Sequence, residues 1–150
     1  MDSIQSEMKL LKSVMILIAK QFGENCEVVL HDWSQGYEHS IVAIENGHVT
    51  DRKEGDPGSN LGLTVMRGTS DGLNNFNYVT KTKKGKTLRS STVYFTDDDG
   101  KPIGAMCINY DVTNMMKVQE FMQDFTMIGT EVTEVFAKDV NELLDFFLRK

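Results

Sequence analysis

The stretch from Gly85 to Asn109 constrains the fold of this chain more than any other. It reads as two long antiparallel strands around a tight Asp98-Asp99-Gly100 turn. Gly100 supplies the positive φ that a hairpin turn needs. Thr, Val, Tyr, Phe and Ile fill the flanks, as strands prefer. Ser90, Ser91, Thr92 and Asn109 interrupt strands that should be core. Small hydroxyls and an amide on central strands point to a polar pocket rather than an apolar seam. Alternation puts Ser90 and Thr92 on one face, Ser91 on the other, and Cys107 with Asn109 on one face. A two-residue Asp99-Gly100 turn sets Ser90 opposite Asn109 and Thr92 opposite Cys107. A three-residue turn with a glycine bulge sets Arg89 opposite Asn109, where it could clamp a carboxylate, and Ser91 opposite Cys107. The sequence leaves both registers open.

The rest of the chain frames this hairpin. Ile4, Met8, Leu11, Met15, Ile18 and Phe22 alternate spacings of four and three, an a/d seam that predicts a helix over 4–22. Leu10, Val14 and Leu17 widen the stripe, so the helix is expected to touch both its own sheet and a second copy. Asp2 with Gln5 caps its start and Gly23 ends it. Strands are predicted at Cys26–Asp32, His39–Glu45 and Asn77–Thr82, with Asn46-Gly47 as a turn signal. The Gly-, Ser- and Asp-rich segment 51–75, with Asp56-Pro57 as a cap pair, predicts short helices crossing a sheet face as a pocket lid. Asp111 or Thr113 caps a helix through about Phe125. The stripe Val132, Phe136, Val140, Leu143 and Phe147 predicts a last helix over about 131–149. The order is α+β: a five-stranded antiparallel sheet with short helices over one face and N- and C-terminal helices. Pattern alone fits PAS, GAF and profilin-like sheets equally.

Composition narrows the function. The 150 residues suffice for one domain with its own core. A net charge of −6 argues against this chain gripping nucleic acid, which wants a basic face. The local basic cluster is Lys81, Lys83, Lys84, Lys86 and Arg89, read as a solvated hairpin tip or a docking patch for an acidic partner. No run is long enough to span a bilayer and no signal peptide opens the chain, so a cytoplasmic location is expected and no membrane partner. Cys26 and Cys107 have no metal spacing. The three histidines show no HxH, HxxxH or HxxE pattern, so no metal site is expected. Asp97-Asp98-Asp99-Gly100 resembles a calcium loop only superficially, because Met106 stands where the ligating Glu belongs. No nucleophile elbow or phosphate loop occurs. His31, if it faces inward, can hydrogen-bond a ligand carboxylate or carbonyl. His39 and Ser40 sit at a turn edge or pocket rim, and His48 is given no role.

Several motifs together carry a family resemblance. They are Glu27-Val28-Val29-Leu30-His31-Asp32, His39-Ser40-Ile41, Asn46-Gly47-His48, Gly55-Asp56-Pro57, Gly85 to Thr92, and Gly100-Lys101-Pro102-Ile103-Gly104 with Cys107-Ile108-Asn109. Over about 24–111 the chain resembles the YheO-like PAS domains of bacterial transcriptional regulators. The resemblance implies a sensor that is usually followed by a DNA-binding helix-turn-helix. Nothing after Lys150 is expected to provide one here, so the chain reads as either truncated or a free-standing sensor. The expected organisation is an N-terminal helix (1–23), a PAS core (24–111) and C-terminal helices (112–150). The expected function is ligand sensing and homodimerisation for a transcriptional regulator. A small polar metabolite would be held by His31, Arg89, Ser90, Ser91, Thr92, Cys107 and Asn109. No cofactor and no catalysis are expected, and nucleic acid would be met only through a domain outside these residues. The rivals are a dimerisation module without ligand and a small enzyme using His31 as a base.

Overall fold

The structure is a computed structural model that describes residues 1–68 and 74–149. Five antiparallel strands form one sheet: β1 (Cys26–Asp32), β2 (Ile41–Glu45), β3 (Asn75–Lys81), β4 (Thr87–Thr96) and β5 (Pro102–Asp111). Their spatial order is β2-β1-β5-β4-β3, so β5 lies at the centre between β1 and β4. Helix α1 (Met8–Phe22) covers one face. A short 3-10 helix (Gly47–Val49) and helix α2 (Asn60–Met66) lie on the other, where Val65 packs against Trp33 and Ala105. The five-stranded α+β sheet expected from the sequence is present.

Helix α1 shows why the apolar seam was legible. Ile4, Leu11, Met15 and Ala19 pack on Cys26, Val28 and Leu30 of β1 to form the main core. Each large side chain buried this way contributes about 1.5–3 kcal/mol. Phe22 does not follow the seam and is exposed, as are Leu10, Val14 and Leu17 on the outward side. The N-terminal cap differs from expectation: Ser3 Oγ, not Asp2, accepts from Ser6 N–H at 3.0 Å, ahead of a 3-10 turn over Gln5–Glu7. Gly23 ends the helix with φ +85°, and its N–H returns to the Ala19 carbonyl at 2.9 Å.

The β4–β5 hairpin resolves the register by combining both alternatives. Its loop has three residues: Asp97 N–H reaches Lys101 O at 2.9 Å and Gly100, at φ +82°, closes onto Asp97 O at 3.0 Å. A bulge then follows, because Thr96 pairs with Pro102 but Phe95 pairs with Gly104. The extra residue, Ile103, cancels the offset of the longer loop. Ser90 therefore stands opposite Asn109, Thr92 opposite Cys107 and Arg89 opposite Tyr110.

Other boundaries moved for identifiable reasons. Strand β2 starts at Ile41 rather than His39, and a bulge at Val42 shifts its pairing between Leu30 and His31. Asp56-Pro57 does not cap α2; Asp56 Oδ2 instead accepts from Lys53 N–H at 3.0 Å, and Ser59 holds the N-cap position. Asp71-Gly72 and the rest of 69–73, part of the expected lid, lie outside the described residues.

The chain divides into two compact units, 1–117 and 118–150. Helix α3 (Thr113–Thr126) runs across the division, and α4 (Val140–Leu148) belongs to the second unit. The last helix is shorter than the apolar stripe implies. Asp139 Oδ1 accepts from Glu142 N–H at 3.0 Å, and Glu142 Oε2 accepts from Lys138 N–H at 2.9 Å, a reciprocal cap that fixes the start at Val140. Thr130, Val132, Thr133 and Val135 before it are poor helix formers. Among the described residues no helix is long and apolar enough to cross a membrane.

Candidate functional site: a cavity between sheet and lid

On the sheet face away from α1, a cavity of about 710 Å³ is bounded by the inward side chains of β1, β3, β4 and β5. Residues 48–52 and 56–62 cover it. Register arranges its floor in rows. Tyr94, Ala105 and His31 form one row, and Thr92, Cys107 and Val29 the next. Ser90, Asn109 and Glu27 form a third, with Leu88 beyond.

The first row is aromatic. The Trp33 ring lies 6.3 Å from that of Tyr37 and 6.1 Å from that of Tyr94. The Tyr37 hydroxyl donates to the Ser59 carbonyl and so ties the lid to the loop after β1. Gly58 and Gly62 are needed here, since a Cβ on either would collide with the Tyr37 hydroxyl. The Trp33 indole N–H is buried with no acceptor among the described residues. His31 Nδ1 shares a 3.0 Å hydrogen bond with Ser40 Oγ. Burial, aided by the Arg52 charge, lowers the His31 pKa to about 4, so the ring is neutral at pH 7. Burial also raises the phenols of Tyr37 and Tyr94 to about 12.

The middle rows are polar but internally paired. The hydroxyls of Tyr78 and Thr92 share a 2.8 Å bond, and Thr92 Oγ1 donates to Cys107 Sγ at 3.3 Å. Burial raises the Cys107 thiol above its usual range. Ser90 Oγ donates to Asn109 Oδ1 at 2.7 Å, and Asn109 Nδ2 donates to Glu27 Oε1 at 2.8 Å. Glu27 is fully buried, and its carboxylate also accepts from Arg52 Nη2 at 3.0 Å, Thr50 N–H at 3.1 Å and the Thr50 hydroxyl. A buried charge needs such a full set of donors. The network fastens the segment 50–52 to the centre of the sheet.

Residues 2–127 match the YheO-like PAS domain family. The chain belongs to that family. It is 31% identical over 146 residues to an uncharacterized protein of Haemophilus influenzae, across 95% of this chain and 65% of that relative. It is also 31% identical over 149 residues to the uncharacterized protein YheO of Escherichia coli K12, across 93% of this chain and 60% of YheO. The chain thus spans less than two thirds of the length of these relatives. A solved RNA-binding light-oxygen-voltage receptor aligns over 75% of this chain and 37% of its own. That alignment has 13% identity and a TM-score of 0.42, too distant to carry an argument.

Within this YheO-like PAS domain the expected site residues divide. His31, Thr92, Cys107 and Asn109 line the cavity. Ser90 is buried behind Asn109 and orients it. Arg89 and Ser91 do not line it: they alternate onto the opposite face. There Arg89 donates to Asn77 Oδ1 at 3.1 and 2.9 Å, and Ser91 Oγ accepts from Asn77 N–H at 3.0 Å. The sequence reading omitted Glu27, Arg52, Trp33 and Tyr94. Glu27 stands four residues before His31, so alternation already placed the two on one face, and Tyr94 follows Thr92 in the same way. Arg52 carried no such signal, because only the fold of its loop brings it to Glu27.

Proposed function

We propose that this domain senses a small molecule in the cavity and passes the signal on within a bacterial transcriptional regulator. The observation that carries the reading is the cavity of about 710 Å³ with a buried, hydrogen-bonding floor and a two-glycine lid. Membership of a sensory domain family supports it. YheO extends well beyond the matched portion, which leaves room for a DNA-binding helix-turn-helix in the longer proteins. Nucleic acid would be met there and not by these acidic residues. The cytoplasm is where such a regulator works. Binding rather than catalysis is favoured, because a His31 ring that stays neutral down to about pH 4 is a weak base.

The domain is further proposed to pair with a second copy through α1. The support is the exposed apolar stripe Leu10, Val14 and Leu17, which the sheet leaves uncovered.

A thermal-shift screen of polar metabolites tests the sensor. A ligand at 100 times its Kd stabilises by about 2.7 kcal/mol, a visible rise in Tm. A hit should also change the fluorescence of Trp33, the only tryptophan. If hits raise Tm without touching Trp33 fluorescence, the cavity is not where they bind. A dimer that never responds to any small molecule would favour the ligand-free dimerisation module.

A further inference from the structure

We infer that the cavity takes an elongated anion, with an aromatic or apolar body at the Trp33 end and a carboxylate or phosphate at the end formed by the β3–β4 turn. The inference rests on the ligand-binding reading above and names the chemical class of the ligand.

Register makes the cavity polar along its length. From Tyr94 to Leu88 is six residues of β4, roughly 20 Å of strand. Trp33, Tyr37 and Tyr94 gather at the first end, beside Ala105 and Val65. Every titratable group there and in the middle that shows a shift is held neutral: His31, Tyr37, Tyr78, Tyr94 and Cys107. Fixed charge on the wall is concentrated elsewhere. Beyond Leu88, Lys81, Lys83, Lys84 and Lys86 line the other end, with Arg52 nearby.

The two carboxylates on the wall are already matched. Asp51 pairs with Lys84 at 3.0 Å, and Asp56 with Lys53 at 3.9 Å. Arg52 is matched by Glu27 at 3.0 Å. Among the described residues Lys81, Lys83 and Lys86 form no ion pair with a carboxylate, although the Lys86 charge helps to hold the Asp51 and Asp111 carboxyls below their usual range. Lys86 Nζ donates only to the carbonyls of His48 and Val49, at 3.2 and 3.4 Å, which do not neutralise it. A chain of net charge −6 thus keeps lysines outside any ion pair at one end of its cavity. Such an end attracts anions and holds them near low-dielectric walls, where the charge acts most strongly. The opposite end has an indole donor without a partner among the described residues and ring faces for an apolar body.

The test titrates the whole chain with 6-phenylhexanoate, 6-phenylhexanamide, hexanoate and 6-phenylhexyl phosphate, following Trp33 fluorescence. One of the two phenyl anions should bind roughly tenfold or more tightly than the amide, and phenylhexanoate more tightly than hexanoate. Which anion wins separates carboxylate from phosphate recognition. The preference over the amide should shrink at high salt and in Lys81→Gln/Lys83→Gln, two substitutions that remove no side-chain hydrogen bond or ion pair among the described residues. Lys86→Gln should shrink it further, with circular dichroism confirming the fold. An amide that binds as tightly as both anions would overturn the inference while leaving a small-molecule cavity intact. A preference unchanged in the triple Lys81, Lys83 and Lys86 to Gln variant would overturn it as well. If no compound of the series alters Trp33 fluorescence, the anion inference is wrong, and the sensor reading is then decided by the metabolite screen alone.

Discussion

Glu27 sets the energetics of the site at the scale of single residues. It is a fully buried carboxylate whose donors come from Asn109, Thr50 and Arg52. Asn109→Leu removes one donor and leaves the Ser90 hydroxyl without its acceptor. It should cost about 1–3 kcal/mol of stability in urea unfolding, apart from any effect on ligand. Arg52→Met should cost more, since it strands a buried charge, whereas Arg52→Lys should recover part of the loss. His31 gives a separate signature. Its folded pKa of about 4 lies below the ordinary 6.5. Between those values the unfolded chain takes a proton that the folded chain refuses. The contribution is complete above pH 6.5 and is lost as pH falls toward 4, on the order of 3 kcal/mol at most. Unfolding free energies measured across that window should therefore slope upward with pH. His31→Gln should flatten the slope, and a wild type with no slope between pH 4 and 6.5 would contradict the buried neutral ring.

At the scale of elements, α1 presents two apolar faces with different duties. Leu11 and Met15 are buried against β1, while Leu10 and Leu17 are exposed. Leu11→Glu should therefore unfold the domain by burying an unpaired charge. Leu10→Glu with Leu17→Glu should leave the melting curve of the protomer nearly unchanged yet abolish a dimer. Light scattering at tens of micromolar, roughly the concentration that holds a stable pair together, distinguishes these outcomes. A wild type that is monomeric there ends the pairing proposal. The lid makes its own prediction. Gly58→Ala or Gly62→Ala must displace the Tyr37 hydroxyl from the Ser59 carbonyl. Both should raise the rate at which proteases cut within 56–62, and Tyr37→Phe should do the same at a cost of about 1 kcal/mol.

The whole molecule is divided at residue 117 into two units. The sheet, α1, the lid and every residue lining the cavity lie in the first. A fragment ending at Lys117 should therefore melt cooperatively and keep the Trp33 fluorescence of the full chain. Loss of that signal would mean that the second unit helps to hold the cavity together. Duplex DNA should not bind this chain selectively, because its charge is −6 and its densest run of lysines, 81–86, lines one end of the cavity. A sequence-selective, salt-sensitive gel shift would contradict that.

The sequence alone determined what depends on local periodicity. The a/d spacing specified α1, the β-branched runs specified β1, β4 and β5, and Gly100 specified the turn, because these follow from backbone preferences of neighbouring residues. Alternation also put Ser90 with Thr92 on one face and Cys107 with Asn109 on one face, without saying which of these meet. Tertiary structure decided what depends on counting across a loop or on groups far apart in the chain. The Ile103 bulge cancelled the three-residue turn and put Ser90, not Arg89, opposite Asn109. Cancellation of that kind is invisible locally, because the bulge is stabilised by pairing with β1 on its other edge, where the Trp33 N–H reaches the Ile103 carbonyl at 2.9 Å. The Glu27–Arg52 pair likewise joins residues 25 apart through a loop with no periodic signal. The shortened α4 reflects the Asp139 cap on the Glu142 N–H, with Glu142 accepting from the Lys138 N–H, overriding an apolar stripe. Local preferences thus specified the strands, and long-range register and charge pairing decided which of their side chains share one cavity.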